Sequence, residues 1–405
     1  MFDIDASRSQ FPALNRVENG FPVAYLDGPG GTQVPQSVIN AMSGVLSEGV
    51  SNLGGGFGSS ELADMVTAGA RQAMADMFNC DPGEVVFGQN MTSLTFAVSR
   101  ALAAGWNPGD AIVLTSLDHD ANFTPWARAA EDRGVEVRVA EFDVDTWLLD
   151  PEAVIELIDE KVKLVAVAYS SNALGTNVDV SPIAAAAHEV GATVFVDAVH
   201  AGPHHLIDID ELGCDFLVAS VYKFFGPHTG VLYGRHDLLA GTNAYKVRPA
   251  PSDPPGKWET GTQSFESLAG VTAAVDYIAS LGSDGATRRG SLEMAFTEIR
   301  EHEEGLSRSF IEGVKRLPKV RLFGVPEVNS NRGPTFAISV DGREPAGVAA
   351  RLADRGVYVW SGHYYAVNVM RQLGVLDQGG LVRVGFVHYN TLGEVDRVME
   401  ALAEL

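Results

Sequence analysis

The stretch ATVFVDAVHAGPHHLIDIDELGCDFLVASVYKFFGPHTGVLYG, residues 192–234, decides the reading of the fold. It holds three apolar runs of strand length, ATVFVDA, DFLVAS and TGVLYG. Runs rich in Val, Leu and Phe, set among helical segments, predict a parallel sheet covered on both faces. Asp197 closes the first run. A carboxylate there sits at the carboxyl edge of the sheet, where open α/β folds bind ligands. The alternative reading is a turn or helix-capping Asp. Lys223 follows the second run directly and precedes Phe-Phe-Gly-Pro. Most lysines are solvated surface charges. One that its apolar flanks desolvate has a lowered pKa and can act as a nucleophile or Schiff-base donor.

The alternation extends upstream. EVVF (84–87), DAIVLTS (110–116), EVRVAEF (136–142) and KLVAVAYS (163–170) read as strands. SLTFAVSRALAAG (93–105), PWARAAEDRG (125–134), PEAVIELIDE (151–160) and IAAAAHEVG (183–191) read as helices, three of them ending at glycine. Downstream the rhythm breaks. The proline-rich VRPAPSDPPGKWETGTQ (247–263) predicts an extended loop. A long helical stretch (265–316) follows, then strands TFAISV (335–340), VYVW (357–360) and LVRVGF (381–386), and a last helix in TLGEVDRVMEALAEL (391–405). The expected organisation is a large α/β domain over 20–262 and a smaller α+β domain from 1–19 and 263–405.

A chain of 405 residues exceeds one small core, which also favours two domains. The net charge of -23 repels nucleic acid and anionic membrane, so neither is an expected partner. Two cysteines, Cys80 and Cys214, make no disulfide framework and no CxxC pair. No apolar run reaches the roughly 18 residues of a membrane span. The first residues, MFDIDASRSQ, lack the pattern of a signal peptide. The expected location is the cytoplasm.

GQNMTSLTFAVS (88–99) is a polar turn between a strand and a helix. Helix N-terminal N–H groups bind phosphate, and Thr92 and Ser93 add hydroxyls. A simple cap by Asn90 or Thr92 is the other reading. A strand-end Asp followed by a strand-end Ser-x-x-Lys resembles the class V aminotransferase group of fold-type I pyridoxal-phosphate (PLP) enzymes, the cysteine desulfurase-like proteins above all. The resemblance runs from AYLDGPGGTQVP (24–35) to RVGFVHYNTLGEVDRVMEAL (383–402). It implies a large domain with a mainly parallel seven-stranded sheet, a smaller α+β domain, and a homodimer with a shared active site.

The resemblance also implies roles. Lys223 carries the cofactor as a Schiff base and moves protons at the substrate's α-carbon. Asp197 faces the pyridine nitrogen. His119, in SLDHDANFTPW (116–126), stacks on the cofactor ring. Asn90, Met91, Thr92, Ser220 and Tyr222 line the phosphate turn. Asn172 stands near the cofactor's 3-oxygen and the substrate carboxylate, and His200 near the 3-oxygen. Thr262, in WETGT (258–262), reaches the phosphate of the neighbouring subunit. Arg383 clamps the substrate carboxylate, a task suited to a bidentate guanidinium. No metal is expected.

Three departures stand out. Tyr365, in WSGHYYAVNVM (360–370), occupies the place of the desulfurase loop cysteine and is a candidate substrate contact. A tyrosine does not replace a persulfide-forming thiolate. The expectation is therefore an enzyme that is not a loop-cysteine persulfide desulfurase. His200 and Tyr222 stand where Gln and His are usual, and both can still donate a hydrogen bond. SNLGGGFGSSE (51–61) is glycine-rich and reads as a flexible loop. The reaction expected on an amino-acid-like substrate is lyase or transaminase chemistry. An epimerase, or a non-catalytic PLP-binding relative, is the alternative. A nucleotide-binding enzyme is disfavoured, because no GxGxxG follows an early strand.

Overall fold

The computed structural model describes residues 2–282 and 285–405. Seven strands form the main sheet: β1 (Val85–Gly88), β2 (Ala111–Thr115), β3 (Glu136–Ala140), β4 (Val162–Ala168), β5 (Thr193–Asp197), β6 (Phe216–Ser220) and β7 (Gly230–Gly234). Their spatial order is β1-β7-β6-β5-β4-β2-β3. The pairs among β2 to β6 are all parallel. β7 runs antiparallel to both β6 and β1. TGVLYG is thus the exception to the parallel reading, and the sheet remains mainly parallel.

Successive side chains of a strand point to opposite faces, and the two faces have separate cores. Val113, Val165 and Val194 belong to one apolar cluster. Ile112, Leu114, Leu164 and Phe195 belong to another, which includes the fully buried Trp126. This double coverage explains strands that are apolar at nearly every position.

Helices α1 (Gln36–Glu48), α2 (Gly58–Phe78), α3 (Met91–Ala103), α4 (Thr124–Arg133) and α5 (Ser181–Glu189) surround the sheet. Asn90 caps α3 by accepting from the Ser93 N–H at 2.9 Å. Pro125 lies in the first turn of α4, and Gly134 ends it with a φ of 65°. The PEAVIELIDE helix is confined to Pro151–Ile155. The expected 265–316 stretch is two helices, α6 (Phe265–Ala279) and α7 (Arg288–Lys315). α6 packs on α1 and α2. A boundary at residue 262 therefore separates α6 from the helices it covers.

The second sheet has β8 (Val320–Phe323), β9 (Thr335–Val340), β10 (Trp360–Gly362) and β11 (Leu381–Gly385). It is antiparallel, in the order β8-β9-β11-β10. α7 and α8 (Leu392–Ala403) pack together beside it. VYVW is not one strand. Val357–Tyr358 pairs in parallel with Ala24–Tyr25, while Trp360 pairs with Arg383 of β11. The glycine-rich segment is closed by Ser60, which accepts from Gly55 N–H at 2.6 Å and donates to the Asn52 carbonyl at 2.5 Å. Its last residues are already the first turn of α2.

Candidate active site

The carboxyl ends of β4, β5 and β6 and the turn after β2 open on a cavity of about 710 Å³. This is the edge of an open α/β sheet where ligands are received. Lys223, Asp197, His119, Asn172, His200 and Arg383 all line it. So do Asn90, Met91, Thr92, Ser220, Tyr222 and Tyr365. Of the predicted site residues, Thr262 alone stands outside the lining. It is exposed, with its hydroxyl 3.5 Å from the Asn52 amide nitrogen.

Lys223 ends a short turn that follows β6 without a break. Its amine donates to the Pro29 carbonyl and lies 4.9 Å from the centre of the Tyr222 ring. Burial, with the Arg383 charge adding to it, brings the amine down to about 7; Asp197 and Asp27 oppose the shift. Asp197 closes β5 and accepts from the Val199 N–H at 2.9 Å. Burial pushes its carboxyl up to about 6, against the pull of that bond and of Lys223. Ser220 closes β6, and its hydroxyl accepts from the Met91 N–H at 3.1 Å. The helix N-terminus of α3 is thereby fixed at the cavity wall.

His119 lies in the turn after β2, and its Nδ1 accepts from the Ala121 N–H at 3.0 Å. Burial and the charges of Lys223 and Arg383 hold it down to about 3, so the imidazole is neutral near pH 7. Its ring stacks on Tyr365, centroids 5.5 Å apart and planes at 24°. The Asp120 N–H donates to the Tyr365 carbonyl at 2.6 Å. Tyr364 and Tyr365 both have left-handed backbones, φ 52° and 57°. Such a pair of non-glycine residues is costly and is held by surrounding contacts. Arg383 comes from β11 and donates to the Asn172 carbonyl at 2.9 Å, with its guanidinium 4.6 Å from the centre of the Tyr364 ring. Asn172 in turn donates to the Tyr364 carbonyl at 2.9 Å.

Sequence reasoning missed three of these groups. Tyr364 is buried beneath Arg383. Asp27 is half-buried within electrostatic reach of Arg383 and Lys223, and the desolvation of its carboxyl raises it to about 6. Its signal was the aspartate of AYLDGPGG, two residues before the carbonyl that receives Lys223. Asp118 accepts from the Thr115 hydroxyl and, at 2.7 Å, from the Asn122 amide. Burial pushes it up to about 8. It braces the turn that carries His119, and its signal was the carboxylate of SLDHDANF.

The pocket's own chemistry tests the expected cofactor. Asn172 Oδ1, His200 Nε2, the Tyr364 hydroxyl and Arg383 Nε are buried without hydrogen-bond partners, and all four residues line the cavity. Buried polar atoms seldom go unpaired, so these await a polar ligand. A partly buried amine, a carboxylate at a strand end and a capped helix N-terminus fit the aldehyde, ring nitrogen and phosphate of PLP. Fold and pocket together are those of a fold-type I PLP-dependent enzyme.

The chain belongs to the class-V aminotransferase family, whose model matches residues 24–398. An uncharacterized protein of Mycobacterium tuberculosis is 32% identical, with the match covering all of this chain and 99% of that one. A cysteine desulfurase of Serratia proteamaculans is 29% identical, over all of this chain and 98% of its own. The solved apo structure of a cysteine desulfurase from Thermococcus onnurineus NA1 superposes with a TM-score of 0.87 at 27% identity, over 100% of this chain and 98% of that one.

These likenesses correct one expectation. Tyr365 was read as placing the chain outside the persulfide-forming desulfurases. Several relatives that match it from end to end, the Serratia and Thermococcus proteins among them, carry the name cysteine desulfurase. The reading rested on one side chain in a loop, at a position 66% exposed. An exposed loop position tolerates replacement without change of the fold. Tyr365 does not set the chain apart from that group.

Proposed function

We propose that this chain is a PLP enzyme that opens the carbon–sulfur bond of a cysteine-like amino acid. The observation that carries the reading is the convergence of Lys223, Asp197 and Arg383, from three separate elements, on one cavity. The names of the full-length relatives supply the substrate class.

Bound PLP supplies an electron sink for charge developing at the substrate's α-carbon. Lys223 would hold the cofactor's aldehyde carbon through its amine, and Asp197 would keep the ring nitrogen protonated. Arg383 receives the substrate carboxylate, oriented by its bond to the Asn172 carbonyl. Lys223, on the cavity wall, would move the proton at the substrate's α-carbon. An amine held near 7 is matched to that exchange at neutral pH. His119, neutral and stacked on Tyr365, is the proposed proton carrier at the leaving sulfur. Thr262, exposed here, is the proposed contact to the phosphate of a second subunit in a homodimer.

The test is product analysis with cysteine. Sulfide with pyruvate and ammonia marks elimination, and alanine with acceptor-bound sulfur marks sulfur transfer. Either supports carbon–sulfur cleavage. Mercaptopyruvate without sulfur release, or racemised cysteine alone, overturns it. Borohydride should trap the cofactor on the wild-type chain and not on Lys223→Ala.

A further inference from the structure

Among the described residues, eleven buried side-chain nitrogen or oxygen atoms have no hydrogen-bond partner. Five of them, on Ser170, Asn172, His200, Tyr364 and Arg383, line the cofactor cavity. Three more, on Asn177, His205 and Glu303, line a second cavity of about 480 Å³. Unpaired buried polar atoms are rare and costly, and most of those in this chain mark two places. The first is the cofactor pocket. The same criterion marks the second as a place built to receive a polar molecule, and its volume lies in the range of small-ligand pockets.

The second cavity is rich in acceptors. Glu303, on α7, is 4% exposed. Its Oε2 pairs with His204 Nδ1 at 2.9 Å, and its Oε1 is the unpaired atom. The amide nitrogen of Asn177 donates to the Ser330 carbonyl at 2.9 Å, which leaves its Oδ1 as a free acceptor. His205 is held down to about 4 by burial and by His204 and Arg300, so it is neutral near pH 7. Asp179, Glu211 and Glu304 add negative charge to the wall. Of the two lining arginines, Arg332 spends its guanidinium on the carbonyls of Val325, Leu174 and Thr335. The other, Arg300, is exposed. Among the described residues no group of His, Cys, Asp and Glu is arranged to hold a metal ion. A cation here must therefore bring its own N–H donors.

We propose that this second cavity binds a small organic cation, an ammonium or guanidinium group received by Glu303 and Asn177. The site is separate from the reaction and nothing in the proposed chemistry uses it.

Methylguanidinium is a suitable probe, because it is a poor nucleophile toward the cofactor's aldehyde. Calorimetric titration of the holoenzyme at neutral pH should show one saturable site per chain. Glu303→Gln should weaken it at least about tenfold, the usual scale for a lost charge-assisted hydrogen bond. Glu303 is buried, so Glu304→Gln at the exposed rim is measured alongside; it should fold and weaken binding about two- to threefold. Lys223→Ala should bind like the wild type. Absence of saturable binding overturns the proposal. So does binding that both glutamate variants leave unchanged, or binding lost in Lys223→Ala, which would place the cation in the cofactor cavity. Failure of the carbon–sulfur reading leaves all of these measurements intact.

Discussion

At the scale of single residues, charge in the cofactor cavity is governed by burial. Lys223 titrates near 7 in the folded chain, against an ordinary 10.5. Between those values the unfolded chain holds the proton and the folded chain does not. Stability of the cofactor-free protein from this group is full above about 10.5 and is lost as pH falls through about 7. The neutral amine is the form that attacks an aldehyde. The rate of PLP uptake by cofactor-free protein should therefore rise with pH around a midpoint near 7. A midpoint near 10 in stopped-flow absorbance would contradict the buried amine. Arg383 is buried at the cavity wall, and its reach to a carboxylate depends on the planar fork. Arg383→Lys should raise KM for the amino acid by about 10- to 100-fold, the worth of a charge-assisted bond. Binding of the corresponding amine without a carboxylate should change little. The residues of this pocket were legible because Asp197, Ser220 and Lys223 close or follow apolar strands. Asp27 and Tyr364 were not, because their surroundings are set by partners far off in sequence, Lys223 and Arg383 for Asp27 and Asn172 for Tyr364.

At the scale of elements, β7 approaches the start of α3 at the cavity wall, the proposed phosphate end. A Cβ on Gly230 would stand 2.4 Å from the backbone carbonyl carbon of Asn90. That neighbour is backbone and cannot swing aside. Gly230→Ala should cost about 1–3 kcal/mol, as overpacking does, seen as a lower denaturant midpoint. It should also weaken PLP affinity, since Asn90 caps α3. Unchanged affinity would mean that the cap is not part of the phosphate turn. The apolar strands β2, β4, β5 and β6 could be read from sequence, being buried on both faces. The break in VYVW could not. Its two halves pair with Ala24–Tyr25 and with β11, and no local pattern announces partners so distant. The antiparallel β7 was equally opaque, since an apolar run carries no sign of its direction.

At the scale of the whole molecule, Thr262 is the one predicted site residue left outside the cavity, and a second subunit is the proposed reason. Sedimentation equilibrium should give a dimer, and Thr262→Ala should weaken PLP binding without loss of stability. A fully active monomer would refute the shared site. The pocket also joins the two sheets, for Arg383 of β11 donates to the Asn172 carbonyl beyond β4. That join has a consequence for the order in which the protein is made. All seven strands of the main sheet precede residue 235, while Arg383 leaves the ribosome 160 residues after Lys223. Translation at usual speed separates the two by roughly 10–30 s. During that interval the nascent chain can own a lysine pocket with no carboxylate clamp, so it can take its cofactor before it can hold a substrate.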